Sequence, residues 1–148
     1  MANAEQLALL RQGVYFWNRQ KPESCQMPID LSESDLKEAN LRGAYFQGAN
    51  LSRANLSRAS LSGARLEGVS LSRANLSQAD LEGAILFQAN LTGANFEGAN
   101  LERAVFRGAN LTGTNLTGAS LQWAIFREVN IEQTEGWDSS FHQEALIR

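Results

Sequence analysis

An apolar residue recurs at every fifth position from Leu31 to Ile131 without a gap. The series is Leu31, Leu36, Leu41, Phe46, Leu51, Leu56, Leu61, Leu66, Leu71, Leu76, Leu81, Leu86, Leu91, Phe96, Leu101, Phe106, Leu111, Leu116, Leu121, Phe126 and Ile131. Two residues before each lies a smaller one, Ala in 16 of the 21 repeats and Ile29, Ser34, Val69, Thr114 or Val129 in the others. A period of five fits neither the helical repeat nor the alternation of a continuous strand. The small and large positions are two apart, so a short extended piece points both to one side while the residue between them faces away. Gly, Ser, Asn and Asp at the junctions supply turns. Such a chain coils around a core formed by the 21 large residues and their small partners.

The size of one coil is legible in the exceptions. The residue just before each large apolar one is Asn, Asp or Ser except at Tyr45, Arg65, Ile85, Val105 and Ile125, which are spaced by 20 each time. Four pentapeptides therefore return the chain to the same side, and the expected fold is a four-sided, all-β solenoid. Residues 29–133 make about five coils, which at about 4.8 Å per coil stack into a rod roughly 25 Å long. Open solenoid ends expose unpaired edges and need covering.

The stretches ANLSRANLSRASLSGARLEG, ANLTGANFEGANLER and ANLTGTNLTGAS resemble the pentapeptide repeat family, whose motif is A(D/N)LXX. The resemblance spans 105 of 148 residues. It implies a right-handed quadrilateral β-helix, the handedness coming from the family alone. The leader before the repeats is similar to those of some cyanobacterial members.

Both flanks read as short helical caps. In residues 1–28, Leu7, Leu10, Val14 and Trp17 fall on one face of a helix expected over about 4–17, with Asn3 as its N-cap and the stretch 18–28, containing Pro22 and Pro28, ending it. Laid over the first coil, this helix closes the near end. A partner-docking or membrane-surface helix is the alternative, although Arg11, Arg19 and Lys21 form a thin basic set. In residues 134–148, Ser140 and Gln143 have capping-box spacing for a short helix through Leu146. Trp137 and Phe141 are expected to close the far end, a dimer contact there being the rival.

Little in the chain suggests chemistry. His142 and Cys25 are single and far apart, so no catalytic, metal or cofactor pattern is found, no cofactor is expected, and no internal disulfide can form. A net charge of -3 gives no basic stripe. Arg53 with Arg73, and Arg107 with Arg127, are separate pairs among Glu67, Glu82, Glu97 and Glu102, so nucleic acid is not an expected partner. The first residues lack the apolar run of a secretory signal, and no stretch is long enough to span a bilayer, which makes the cytoplasm the expected location. The Asn residues stacked at 20 are expected to brace turns or bond between coils.

The fourth side departs from the other three. There Tyr45, Ile85, Val105 and Ile125, with Phe87 beside Ile85, form an apolar strip about 19 Å long if they face outward. Contiguous exposure of this kind marks an interaction surface, unless a terminal segment covers the wall. The expected role is a non-enzymatic interaction scaffold, a monomer or homodimer, whose partner is another protein or a second copy. The family resemblance supplies an alternative, a DNA mimic that binds gyrase or another type II topoisomerase. That activity calls for a strongly acidic surface and projecting loops, whereas residues 29–133 carry 11 acidic and 9 basic residues and no loop interrupts the repeats.

Overall fold

The computed structural model describes residues 1–20 and 27–137, together with the backbone of 146–147. Two short helices, α1 (Ala4–Arg11) and α2 (Val14–Gln20), precede a coiling chain. The last coil contains β1 (Ile125–Phe126), which β2 (Leu146–Ile147) joins.

Residues 20 apart pair in parallel along the coiling chain, from Asp30 with Asn50 to Asn115 with Glu135. Four ladders therefore run lengthwise, each one residue pair wide. The first side carries Asp30, Asn50, Ser70, Asn90, Asn110 and Asn130; the fourth carries Tyr45, Arg65, Ile85, Val105 and Ile125.

One pentapeptide shows how the polar backbone is satisfied. Asn50 N–H donates to Ile29 O at 2.8 Å in the coil before, while Leu51 and Arg53 donate to Ser70 O and Ser72 O in the coil after, at 2.7 and 2.9 Å. Ala54 N–H closes the corner onto Leu51 O at 3.1 Å. The fifth donor, Ser52 N–H, meets the Asn50 side-chain oxygen at 3.0 Å. Every backbone donor thus has a partner, as a buried main chain requires.

Each corner also needs a left-handed residue. The second position after every large apolar residue has a φ between 54 and 70°, from Glu33 through Gln133, as expected at the third residue of a type II turn. Gly occupies ten of these 21 sites.

The interior is filled by the large residues and the Ala columns. All of the 21 large residues are buried except Ile131, which is 38% exposed because it belongs to the last turn, with no coil beyond to cover it. Ile131 is thus not a core residue, contrary to its place in the series. Ala39 is also only partly buried. It lines a cleft of about 510 Å³ between the helices and the first coil, with Leu10, Val14, Leu36 and Leu41.

The inner column of the fourth side ends in tryptophan at both ends. Trp17 packs on Phe46 at 5.6 Å between ring centroids, and Trp137 meets Phe126 edge-on at 4.8 Å. Phe126 in turn stacks flat on Phe106 at 4.6 Å.

At the near end, groups of the two helices and their cap take the place of a missing coil. Asn3 caps α1 by accepting from Glu5 and Gln6 N–H. Its own N–H donates to Asp30 O, and the Gln6 amide accepts from Asp30 N–H. On the fourth side, Asn18 accepts from Tyr45 N–H and Trp17 Nε1–H donates to Tyr45 O. The single helix expected over 4–17 is instead two, because Gly13 adopts φ 117° and breaks it, and the second runs on to Gln20. The break lets Leu10 and Trp17 both reach the core.

At the far end the repeat is halted by one residue. Gly136 stands where the next large apolar residue would fall, and a Cβ on it would lie 2.6 Å from Thr117 N. The chain crosses the open end so closely that only glycine fits, which brings Trp137 onto the core. β2 then adds a parallel rung to the fourth side, Ile125 opposite Leu146. Leu146 is therefore strand and not the end of a helix, since the free edge of β1 offers it backbone partners. Ser140, Phe141 and Gln143 lie outside the described residues.

Gly136→Ala is expected to lower stability by more than about 1 kcal/mol, since φ 75° and the close backbone both oppose a side chain. Thermal unfolding checks this, with a red shift in tryptophan emission as Trp137 loosens; an unaltered melt would contradict the tight crossing.

Candidate interaction surface

The walls differ in what their outward residues are occupied with. All 13 Asn and Asp residues preceding a large apolar residue accept a hydrogen bond from the N–H two residues on, from Asp30 with Ser32 to Asn130 with Glu132. Several also bond between coils, as Asn115 Nδ2 does to Asn95 Oδ1 at 3.2 Å and Asn100 Nδ2 to Asp80 Oδ1 at 3.0 Å. These amides are committed to the corner and to the next coil. At Asp30, the bonds from the Ser32 hydroxyl and N–H hold the carboxyl below the usual carboxylate range.

The fourth side has no such acceptors. Tyr45 is 39% and Phe87 38% exposed, while Ile85, Val105 and Ile125 are half-buried by stacking on one another. Arg65 is not an isolated charge in this row. Its guanidinium lies over the Tyr45 ring at 5.5 Å and is paired with Glu67 at 2.9 Å. The second Glu67 oxygen is shut off from solvent and has no hydrogen-bond partner among the described residues. Past Phe87 the neighbouring column becomes basic, with Arg107 held loosely by Glu128 at 3.5 Å, followed by Arg127.

Trp123 extends this surface and was not singled out by the periodicity. It sits at the corner two residues before Ile125, 62% exposed and at φ 60°. A bulky residue in the left-handed region costs roughly 1 kcal/mol. The available signal was a Trp in a slot where Gly43, Gly63 and Gly83 stand on the same corner.

Two further exposed ion pairs among the described residues join Arg103 with Glu82 at 2.7 Å and Arg58 with Glu38 at 3.7 Å. Pairs of this kind contribute little, about 0–1 kcal/mol. Arg53 and Arg73 border a shallow groove on the first side with Ser52, Ser72 and Thr92. Among the described residues, no group of His, Cys, Asp and Glu is arranged to hold a metal ion. Cys25 and His142 lie outside those residues. No described helix is long and apolar enough to cross a membrane.

The family model for pentapeptide repeats, which spans eight copies of the repeat, matches three stretches, residues 29–68, 49–88 and 94–133. The chain belongs to the pentapeptide repeat family. Members of that family fold as right-handed quadrilateral β-helices. Among solved structures, the chain is similar to Rfr23 from the cyanobacterium Cyanothece 51142, at 35% identity over 84% of this chain and 64% of that one, with a TM-score of 0.36. It therefore spans a little under two thirds of Rfr23. It is also similar to alr5209 from Nostoc PCC 7120, at 35% identity over 80% of this chain and 84% of that one, TM-score 0.39. A more distant likeness, 20% identical over 82% of this chain and 78% of that one with a TM-score of 0.47, is to QnrB1, a plasmid-mediated fluoroquinolone resistance protein. No curated protein matches the chain.

Asn95→Ala removes an acceptor used by both Glu97 N–H and Asn115 Nδ2. It is expected to cost about 1–3 kcal/mol in a denaturant melt. Asp30→Asn is expected to flatten the acid limb of stability. With its pKa lowered by folding, Asp30 contributes fully above the ordinary carboxylate range, and the contribution is lost as pH falls through the lowered value. An acid titration by circular dichroism of both proteins measures the difference.

Proposed function

We propose that this pentapeptide repeat protein is a non-catalytic scaffold that presents its fourth side to a protein partner. The observation supporting this is that one wall replaces the Asn, Asp and Ser ladder with Tyr45, Ile85, Val105 and Ile125. The fold does not need that replacement, because Asn at the same position closes corners elsewhere along the solenoid. Exposed Phe87 and Trp123 enlarge the same patch, and aromatic side chains of this kind anchor protein interfaces. A filled interior of Leu, Phe and Ala leaves function to the walls.

Mimicry of duplex DNA toward a type II topoisomerase is the less favoured reading. The repeats hold 11 acidic against 9 basic residues, and Arg107 and Arg127 sit on the wall with the largest apolar content. A gyrase supercoiling assay with excess protein addresses it, and no inhibition or protection is expected.

Ile85→Glu combined with Val105→Glu is expected to reduce recovery of the partner from the native host by about tenfold or more, two charges having been placed within one apolar contact. The circular dichroism of the solenoid should stay unchanged, since both side chains lie on the outer wall. Equal recovery by the two proteins would overturn the scaffold reading for this side.

A further inference from the structure

We infer that the fourth side pairs with the fourth side of a second copy, the two solenoids running antiparallel about a two-fold axis at Ile85 and Phe87. The inference rests on the reading of this wall as an interaction surface and names its occupant. Ile85 is the middle of the five rungs that the repeats supply, with Tyr45 and Arg65 before it and Val105 and Ile125 after it, and β2 adds Leu146 beyond Ile125. A two-fold axis through that rung, lying in the interface and along the strands, reverses the solenoid direction but keeps each column opposite itself. Isologous contacts of this kind are the commonest route to a closed dimer.

The column just beyond the large residues carries the charge argument. It reads Gln47, Glu67, Phe87, Arg107, Arg127 along the rod. Reversal about Phe87 sets Glu67 opposite Arg107 of the other copy and Gln47 opposite Arg127, with the two Phe87 rings meeting at the centre. Glu67 Oε1 is held by Arg65 at 2.9 Å and Arg107 by Glu128 at 3.5 Å, so the facing carboxylate and guanidinium extend pairs already present in each copy. A parallel arrangement, with the axis along the rod through the Ile85 column, instead exchanges the two flanking columns and sets Arg107 opposite Arg103 of the other copy. Like charges so juxtaposed are penalised in a contact.

The corner column fits the same reversal by shape. Gly43 and Gly63 stand at one end and Trp123 at the other. Antiparallel pairing brings each Trp123 over the Gly43 corner of its mate, where the corner residue has no side chain of its own and the Asn18 amide donates to Gly43 O at 3.0 Å. This gives the strained, exposed Trp123 a receptor that its own coil does not offer. One wall of a narrow solenoid is smaller than the roughly 800 Å² per partner of a stable interface, so the dimer should be weak and concentration-dependent.

Sedimentation velocity of the full chain across the micromolar range is expected to show a reversible monomer–dimer equilibrium. Arg107→Glu should weaken it by about tenfold, and adding Glu67→Arg should restore it, because the swapped charges again face each other. Circular dichroism of each variant establishes that the solenoid is intact. Should Glu67→Arg unsettle the wall through loss of the Arg65 pair, cysteine cross-linking provides an independent register test. In a Cys25→Ser background under added oxidant, Ile85→Cys is expected to link to itself. Val105→Cys alone should not link, but should link when mixed with Arg65→Cys. A chain that remains monomeric throughout, or Val105→Cys linking to itself as readily as Ile85→Cys, overturns the inference. If the monomeric chain still recovers a host protein, and loses it on Ile85→Glu with Val105→Glu, the scaffold reading stands while self-pairing falls.

Discussion

The parallel hydrogen bonds between residues 20 apart are the constraint on which the rest of the molecule depends. In each interior pentapeptide three of five backbone donors reach into neighbouring coils, as those of Asn50, Leu51 and Arg53 do. The chain can satisfy them only if every coil has the same length, and equal length forces Leu over Leu and Ala over Ala. Core columns, outer ladders and the stacked Phe106 and Phe126 follow from that registry. Stability is shared between neighbours, so the terminal coils need replacements for the ones they lack. Asn3 provides one with its backbone N–H, Gln6 and Asn18 with side-chain amides, and Trp17 with its indole N–H.

Much of this was legible from periodicity because one physical rule repeats at every pentapeptide. The inner positions, the 20-residue coil and the turn-bracing role of Asn came from spacing and side-chain chemistry. The single-residue events were harder. Gly13 looked compatible with a helix, since Leu7, Leu10, Val14 and Trp17 keep helical spacing across it, yet its left-handed backbone divides the segment in two. Ile131 satisfies the motif and is exposed because no coil follows it, a matter of position and not of residue type. Gly136 is decided by a close approach to Thr117, a contact between residues whose separation no local pattern encodes.

On the wall, sequence spacing aligned Tyr45, Ile85, Val105 and Ile125 but said nothing about how Arg65 is accommodated among them. The structure lays that side chain over Tyr45 and ties it to Glu67, so the charge is folded into the patch. The left-handed corner position also escaped sequence reasoning. Gly fills fewer than half of its sites, with Arg, Gln, Glu and Trp123 in the rest. These larger residues are tolerated because their side chains have somewhere to lie, as Arg73 does against Gly93 and Gln78 against Gly98 in the next coil.

The 20-residue coil makes the fourth side a matter of phase. Inserting one pentapeptide between Arg65 and Ile85 would keep every Leu inside and every corner turned, yet rotate all later residues by a quarter of the circumference. Ile85, Val105 and Ile125 would move to the adjoining wall, away from Tyr45. The core tolerates length changes in units of five, whereas the surface tolerates them only in units of 20. Selection for the patch would therefore appear as conservation of spacing, even where the individual wall residues are free to vary.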